Sequence, residues 1–341
     1  MRRIFINPIS AILCIALFCS LATSCKKDST SGSSGSDPES PEQPVEEEYD
    51  IVITPQVSNQ LLMVTGAAYR FTASLSPESV GPKAISWSSN DPNVAVVDNS
   101  GVVTAKGIGV ATIAASTDKK IATVEVKVNS APTVSYVDMC TSVVWAKCNL
   151  GATSPEGQGD YYSWGETEPG INFSDEIYKW FISHSISNIT ILKYNHISAY
   201  GPTDNQRELL PEDDAARWNL GSEWRVPTVE EWEELFDDDD KFSYTWDVNG
   251  SVKYGVTIKS RINGNSIYLP TSSMSRGAGQ DHFMDDYGCY WTANLDDEQP
   301  VYAKSVFVDS RQESCYVGGE VDQRFSRRSY GMTVRPVKSK Y

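Results

Sequence analysis

The chain has 341 residues and a formal net charge of -16, with no clustered stripe of lysine and arginine. That balance excludes nucleic acid as a partner and electrostatic docking on anionic lipid as a means of attachment. Even without an N-terminal leader the chain exceeds the size of one hydrophobic core, so more than one domain is expected.

The N-terminus has the layout of a signal peptide. Arg2 and Arg3 precede an apolar run over residues 4–21, interrupted by Asn7, Pro8, Ser10 and Ser20. Its core, residues 11–18, is far shorter than the roughly 20 apolar residues of a spanning helix. Ala22-Thr23-Ser24-Cys25 resembles the lipobox of bacterial lipoproteins, with Leu21 one place earlier than the usual leucine. The resemblance implies a leader over residues 1–24, lipid on Cys25 and attachment to a membrane through that N-terminal lipid. Lys26-Lys27-Asp28 resembles the short charged signal that sends some Bacteroidetes lipoproteins to the outer face of the outer membrane, which implies a cell-surface location. Asp28-Ser29-Thr30 is similar to the O-glycosylation site of the same phylum, and reads equally as ordinary linker.

Residues 25–48 are the expected tether. From residue 29 onward they are built of Ser, Gly, Pro, Glu, Asp and Gln with the single Thr30, and Val45 is the only aliphatic side chain, so they cannot bury a core. A flexible segment of about 20 residues spans roughly 25 Å, and proline and like charges extend it.

Residues 49–130 read as an all-β sandwich: short β-rich runs separated by turn signals. Ile85-Ser86-Trp87-Ser88-Ser89 places an aromatic in an alternating strand, and Asp98-Asn99-Ser100-Gly101 supplies turn chemistry. Over residues 122–128 strict alternation would turn Ala122, Val124, Val126 and Val128 inward and Thr123, Glu125 and Lys127 to water. Trp87-Ser88-Ser89-Asn90-Asp91, Val94-Ala95-Val96-Val97-Asp98 and the run from Gly101-Val102-Val103-Thr104 to Gly109-Val110-Ala111-Thr112-Ile113 together resemble the bacterial immunoglobulin-like group 2 domain. The resemblance implies an immunoglobulin-like fold and a stalk or spacer role.

Residues 131–341 shift in composition: aromatics become frequent, and helical signals are confined to residues 211–236. An α+β domain is expected. Pro211-Glu212-Asp213-Asp214-Ala215-Ala216-Arg217-Trp218 carries proline and acids at the start of a short helix. Thr228-Val229-Glu230-Glu231 has the capping-box form, and Val229, Trp232, Leu235 and Phe236 make one apolar face. Trp232 is therefore expected in the core. Asp237 to Asp240 follows as a loop; a solvated loop is favoured over a calcium site, because calcium wants its oxygens fixed around one point. Strands are expected at residues 264–270, from Tyr290, over residues 302–308 and over residues 330–337, the last bringing the two ends of the domain together.

Tyr136-Val137-Asp138, Trp145-Ala146-Lys147-Cys148-Asn149-Leu150-Gly151-Ala152, Trp164-Gly165-Glu166-Thr167-Glu168-Pro169, Trp224-Arg225-Val226-Pro227-Thr228, Tyr290-Trp291-Thr292 and Val334-Arg335-Pro336-Val337 resemble the Fibrobacter succinogenes major paralogous domain, abundant in Bacteroidetes lipoproteins. Residues 213–235 are also similar to the formylglycine-generating enzyme family, which implies a C-type-lectin-like fold. The copper-holding cysteine pair of that family has no counterpart in residues 324–337, nor do the calcium-binding triplets of C-type lectins occur.

No G-x-S-x-G, H-E-x-x-H, P-loop or G-x-G-x-x-G motif is present, and His184, His196 and His282 stand apart. No catalytic residue, resident metal or cofactor is expected. Cys14 and Cys19 leave with the leader, so Cys140, Cys148, Cys289 and Cys315 remain, as partners in one or two disulfides or as free buried thiols. The reading that fits is a cell-surface lipoprotein that binds extracellular glycan or protein. An enzyme of the formylglycine-generating-like fold, a glycan hydrolase and a structural part of a surface assembly are the alternatives. The Ser-, Gly- and Asp-rich stretch over residues 271–290 is the candidate ligand-binding loop, with Arg276, His282, Tyr287 and Tyr290 as contacts.

Overall fold

The computed structural model describes residues 48–57, 60–79, 81–185, 188–236, 240–249, 252–278, 281–283, 286–318 and 326–340. The leader, Cys25, the tether up to residue 47 and Asp237 to Asp239 of the acidic run lie outside the described residues.

The described chain is mostly β-sheet. Its first nine strands are β1 (Asp50–Thr54), β2 (Leu61–Val64), β3 (Ala68–Arg70), β4 (Thr72–Ser76), β5 (Ser86–Ser89), β6 (Ala95–Val97), β7 (Val102–Ala105), β8 (Gly109–Ser116) and β9 (Ile121–Asn129). A four-stranded sheet in the order β2-β9-β8-β5 faces the three strands β3-β7-β6 and the pair β1-β4. All these pairings are antiparallel except β2 with β9. The alternation in β9 works as its sequence requires: Val124, Val126 and Val128 are buried, while Thr123, Glu125 and Lys127 face water. Each buried valine contributes about 1.5–3 kcal/mol. Ala122, at the start of the strand, is only half-buried. At the turn before β7 the Asp98 carboxylate accepts from the backbone N–H groups of Ser100 at 2.8 Å and Val102 at 2.9 Å. Gly101 follows with φ of 82°, where a Cβ would sit 2.2 Å from the Phe71 carbonyl oxygen.

The remainder comprises β10 (Tyr136–Asp138), β11 (Val143–Ala146), β12 (Asn172–Phe173), β13 (Phe181–Ser185), β14 (Asn188–Ile191), α1 (Ala215–Leu220), β15 (Trp224–Arg225), α2 (Val229–Phe236), β16 (Phe242–Asn249), β17 (Val252–Ser260), β18 (Ser266–Pro270), β19 (Met274–Ala278), β20 (Asp281–Phe283), β21 (Tyr287–Leu295), β22 (Ala303–Asp309), β23 (Ser314–Val317) and β24 (Val337–Ser339). Its sheets run β10-β11-β24-β15, β16-β17-β18, β21-β22-β23 and β12-β19-β20, with β13-β14 a hairpin. β11 pairs antiparallel with β24, Val143 opposite Ser339, so the two ends of this region meet in one sheet. The closing strand begins at Val337; Gly331 to Thr333 make only isolated bridges, because their partners come from several segments.

The helix starts follow their local chemistry. Asp214 caps α1, its Oδ1 accepting from the N–H of Ala216 at 2.9 Å and of Arg217 at 3.0 Å, and a 3-10 turn over Pro211–Asp213 precedes it. In α2 the capping box closes both ways: Thr228 Oγ1 accepts from the Glu231 N–H at 3.4 Å and Glu231 Oε2 from the Thr228 N–H at 2.9 Å. Trp232 and Leu235 are fully buried, with the Trp232 ring 4.7 Å from that of Trp145. These two short helices and two 3-10 turns are the helical content among the described residues.

Candidate functional site

Residues 271–275 and 287–290 of the expected ligand loop over residues 271–290 are buried, while Arg276, Gly277 and Asp286 are exposed. Thr271, Ser272, Ser273 and Ser275 are buried, and the segment forms β19, β20 and the start of β21. The cause is a set of hydrogen bonds that the composition did not reveal. Tyr161 donates its hydroxyl to the Ser272 carbonyl, the Ser273 N–H donates to Tyr287 O at 2.7 Å, and the Cys289 N–H donates to Ser272 Oγ at 3.2 Å. Tyr290 is fully buried and donates to the Pro270 carbonyl at 2.7 Å, and burial pushes its phenol well above its ordinary value. Tyr287 is also buried, with the Arg311 guanidinium 4.6 Å from its ring centre and bonded to its hydroxyl. Arg276 is exposed opposite Asp281, and His282 stands opposite Ser275. The two tyrosines offer no open ring to a ligand.

Among the described residues no disulfide joins Cys140, Cys148, Cys289 and Cys315. Cys289 and Cys315 sit on β21 and β23 with β22 between them. Burial pushes the Cys315 thiol up to about 12, which leaves it protonated and unreactive at neutral pH.

The repeated aromatic and arginine motifs assemble into scaffold. Arg335 is fully buried and donates to Asn149 Oδ1 at 2.8 Å and to the carbonyls of Ala146 at 3.1 Å, Lys147 at 2.7 Å and Tyr268 at 2.8 Å. It ties the last motif to the one that begins at Trp145. Arg328, also fully buried, donates to Tyr178 Oη and to the carbonyls of Lys193, Tyr194 and Pro300, and lies within 5.1–5.6 Å of the rings of Trp164, Tyr178, Phe181 and Tyr194. Trp291 donates to Tyr162 O at 2.7 Å and Trp164 to Thr292 O at 2.8 Å. Arg225 pairs with the capping-box residue Glu231, and the Val226 N–H donates to Asp214 at 3.0 Å. These groups are bonded to one another and to backbone carbonyls.

An open groove of about 490 Å³ lies where the sandwich meets the C-terminal region. Thr65, Thr104 and Lys106 line it from the sandwich, and Leu220, Ser222, Glu223 and Trp224 from the other side. Two close approaches hold its walls. A Cβ on Gly66 would stand 2.5 Å from the Ser222 nitrogen, and one on Gly221 would stand 2.7 Å from the Thr65 carbonyl oxygen, both at positive φ. Beside the groove Tyr136 is 51% exposed, its ring 6.4 Å from that of Trp224. Lys338 Nζ lies 4.5 Å from the Tyr136 ring centre and 3.4 Å from Glu223 Oε2. Hydroxyls, opposite charges and Trp224 thus line a space of ligand size where the two regions meet, with the Tyr136 ring beside it. Sequence reasoning named Tyr136 and Trp224 only as motif residues; their neighbourhood depends on β10 and β15 reaching one sheet.

Residues 52–129 match the family described as bacterial Ig-like domain (group 2). An uncharacterized protein of Clostridium acetobutylicum is 35% identical over 89 residues, which is 26% of this chain and 8% of that protein. Among solved structures the chain is similar to a bacterial Ig-like domain containing GH10 xylanase from termite gut, at 21% identity and a TM-score of 0.19, covering 22% of this chain and 20% of that one. It is also similar to domains 5-6 of the S-layer protein SbsC, at 12% identity and a TM-score of 0.24, covering 84% of this chain and 95% of that one. The chain spans only 8% of the Clostridium protein and 20% of the xylanase chain. Residues 52–129 are an immunoglobulin-like domain, and among the described residues no helix is long and apolar enough to cross a membrane.

Proposed function

We propose that the chain is a lipoprotein of the outer membrane, lipidated on Cys25 and exposed at the cell surface, whose folded part is a non-catalytic binding module for extracellular glycan. Residues 131–341 would have a C-type-lectin-like fold, a reading supported by the pairing of β11 with β24 and by α2 packing on β21, β22 and β23. The observation that carries the binding role is the junction groove with the exposed Tyr136 ring beside it, in a region whose motif tryptophans are buried. An aromatic face stacks on the C–H face of a sugar ring, and Thr104, Ser222, Lys106 and Glu223 suit its hydroxyls. A glycan array probed with the chain from residue 26 onward tests this. Binding is expected, with Tyr136→Ala weakening it on the order of tenfold, as the loss of one stacking platform implies. No binding above background to any glycan overturns the reading. Protease treatment of intact cells tests the location, since a protected chain would be periplasmic.

A protein partner is the second reading. It is favoured by the outward face of the β13-β14 hairpin, where Ile182 and Leu192 are 46% and 49% exposed. Cross-linking on intact cells that captures one stoichiometric partner through this hairpin would support it over the first.

A further inference from the structure

The joint between the immunoglobulin-like domain and the C-terminal region is built like a core. Trp218, on α1, is 8% exposed and belongs to the same apolar cluster as Leu61, Met63, Phe71, Val103 and Val126 of the sandwich. Its ring centre is 5.4 Å from that of Tyr69, which in turn meets Phe71 edge-on at 5.0 Å. The indole N–H donates to Glu168 Oε1 at 2.9 Å, and the Thr167 carbonyl accepts from Asn219 at 3.0 Å, so the Trp164-Gly165-Glu166-Thr167-Glu168-Pro169 motif aims α1 at the sandwich. Around this wedge, Arg70 of β3 pairs with the buried Glu212 at 2.9 Å. Glu212 also meets Lys193 at 3.6 Å, and Lys193 is bonded to Asp213, which accepts from Tyr194 at 2.6 Å. The Ala131 N–H donates to Thr65 Oγ1 at 3.1 Å across the connection. Residues 47–341 close into one compact unit.

A spacer that folds as a separate bead carries its own core and meets its neighbour through a polar, wet surface. Here the sandwich borrows one of its largest core side chains from a helix of the other region, and at Gly66 and Gly221 the two backbones approach so closely that no Cβ fits between them. We infer that the immunoglobulin-like domain and the C-terminal region form one cooperative body, in which Trp218 is the wedge that completes the sandwich core. The inference concerns the joint alone and stands apart from what the groove binds. It changes the role of the immunoglobulin-like domain from stalk to structural half, and it fixes the walls of the groove in register.

Hydrogen exchange and calorimetry on the whole mature chain test it. The native protein should unfold in a single transition, with the slowest amides of β7 and β8 exchanging at the same rate as those of β21 and β22. Trp218→Ala should uncouple the halves: exchange in β3 and β7 should accelerate at least a hundredfold while β21 and β22 keep their protection. Should that variant fail to fold, Glu212→Gln breaks the ion pair with Arg70 from the C-terminal side and leaves the bonds of Arg70 to Ser100 in place, and a severalfold acceleration confined to β3 and its neighbours is expected. Two separate transitions in the native protein overturn the inference, as does unchanged exchange in β3 and β7 in whichever variant folds.

Discussion

The immunoglobulin-like sandwich and the C-terminal region fill their interiors with different chemistry. In the sandwich the buried set is aliphatic and small, Val103, Ala111, Ile113, Val124 and Val126, with Phe71 and the borrowed Trp218 as its large members. In the C-terminal region Trp145, Trp164, Trp232 and Trp291 are fully buried together with two arginines, Arg328 and Arg335, whose guanidiniums satisfy backbone carbonyls of irregular segments. Strand ladders meet most of the sandwich's backbone needs within the sheets. The long loops of the second region have no such ladder, so buried side chains must supply the donors. That difference explains how a domain with short, scattered strands keeps its irregular chain inside.

The sharpest way to break the contrast is Arg328→Met. It strips donors from the carbonyls of Lys193, Tyr194 and Pro300, and at about 1–3 kcal/mol for each buried acceptor left unmet the loss in chemical denaturation should be on the order of 4 kcal/mol. A loss below about 1 kcal/mol would mean that the arginine is a passenger rather than the frame. Asp214 gives a pH test. It is buried, and desolvation, the leading cause, holds its carboxyl above the ordinary carboxylate value in spite of the N–H groups of Arg217, Val226 and Ala216. The folded state therefore holds this proton more tightly than the unfolded one, and its contribution to stability, full below the unfolded value, is lost as pH rises from there through the raised folded value. Asp214→Asn should remove that part of the slope in denaturation series run across acidic to neutral pH; an unchanged slope would assign the effect to other carboxylates. Smallest is Thr228→Ala, which takes one acceptor from the start of α2 and should cost about 1 kcal/mol, measured by the same denaturation. A much larger loss would show that the capping box also governs the Arg225–Glu231 pair.

Legibility followed the range of the interactions. Strand β9, the Asp98 turn and the α2 capping box all lie within a few residues of sequence, and each could be read from spacing alone. The ligand loop could not. Tyr287 and Tyr290 sit in a stretch rich in Ser, Gly and Asp that looks exposed, yet Tyr161 bonds Ser272 from 111 residues away and draws the segment inside. The junction groove left no local signal either, because Thr65, Tyr136 and Trp224 become neighbours only when β2, β10 and β15 are in place.

What the amino-acid order determined by itself is therefore the alternating sandwich over residues 52–129, the two helix starts and the burial of Trp232, since each depends on periodicity or on a cap a few residues away. Tertiary structure alone decided which aromatics face water, what Arg328 and Arg335 hold, and that Trp218 belongs to the sandwich core. Those outcomes depend on contacts such as Arg335 with Ala146, 189 residues apart, and no local pattern encodes a partner at that distance.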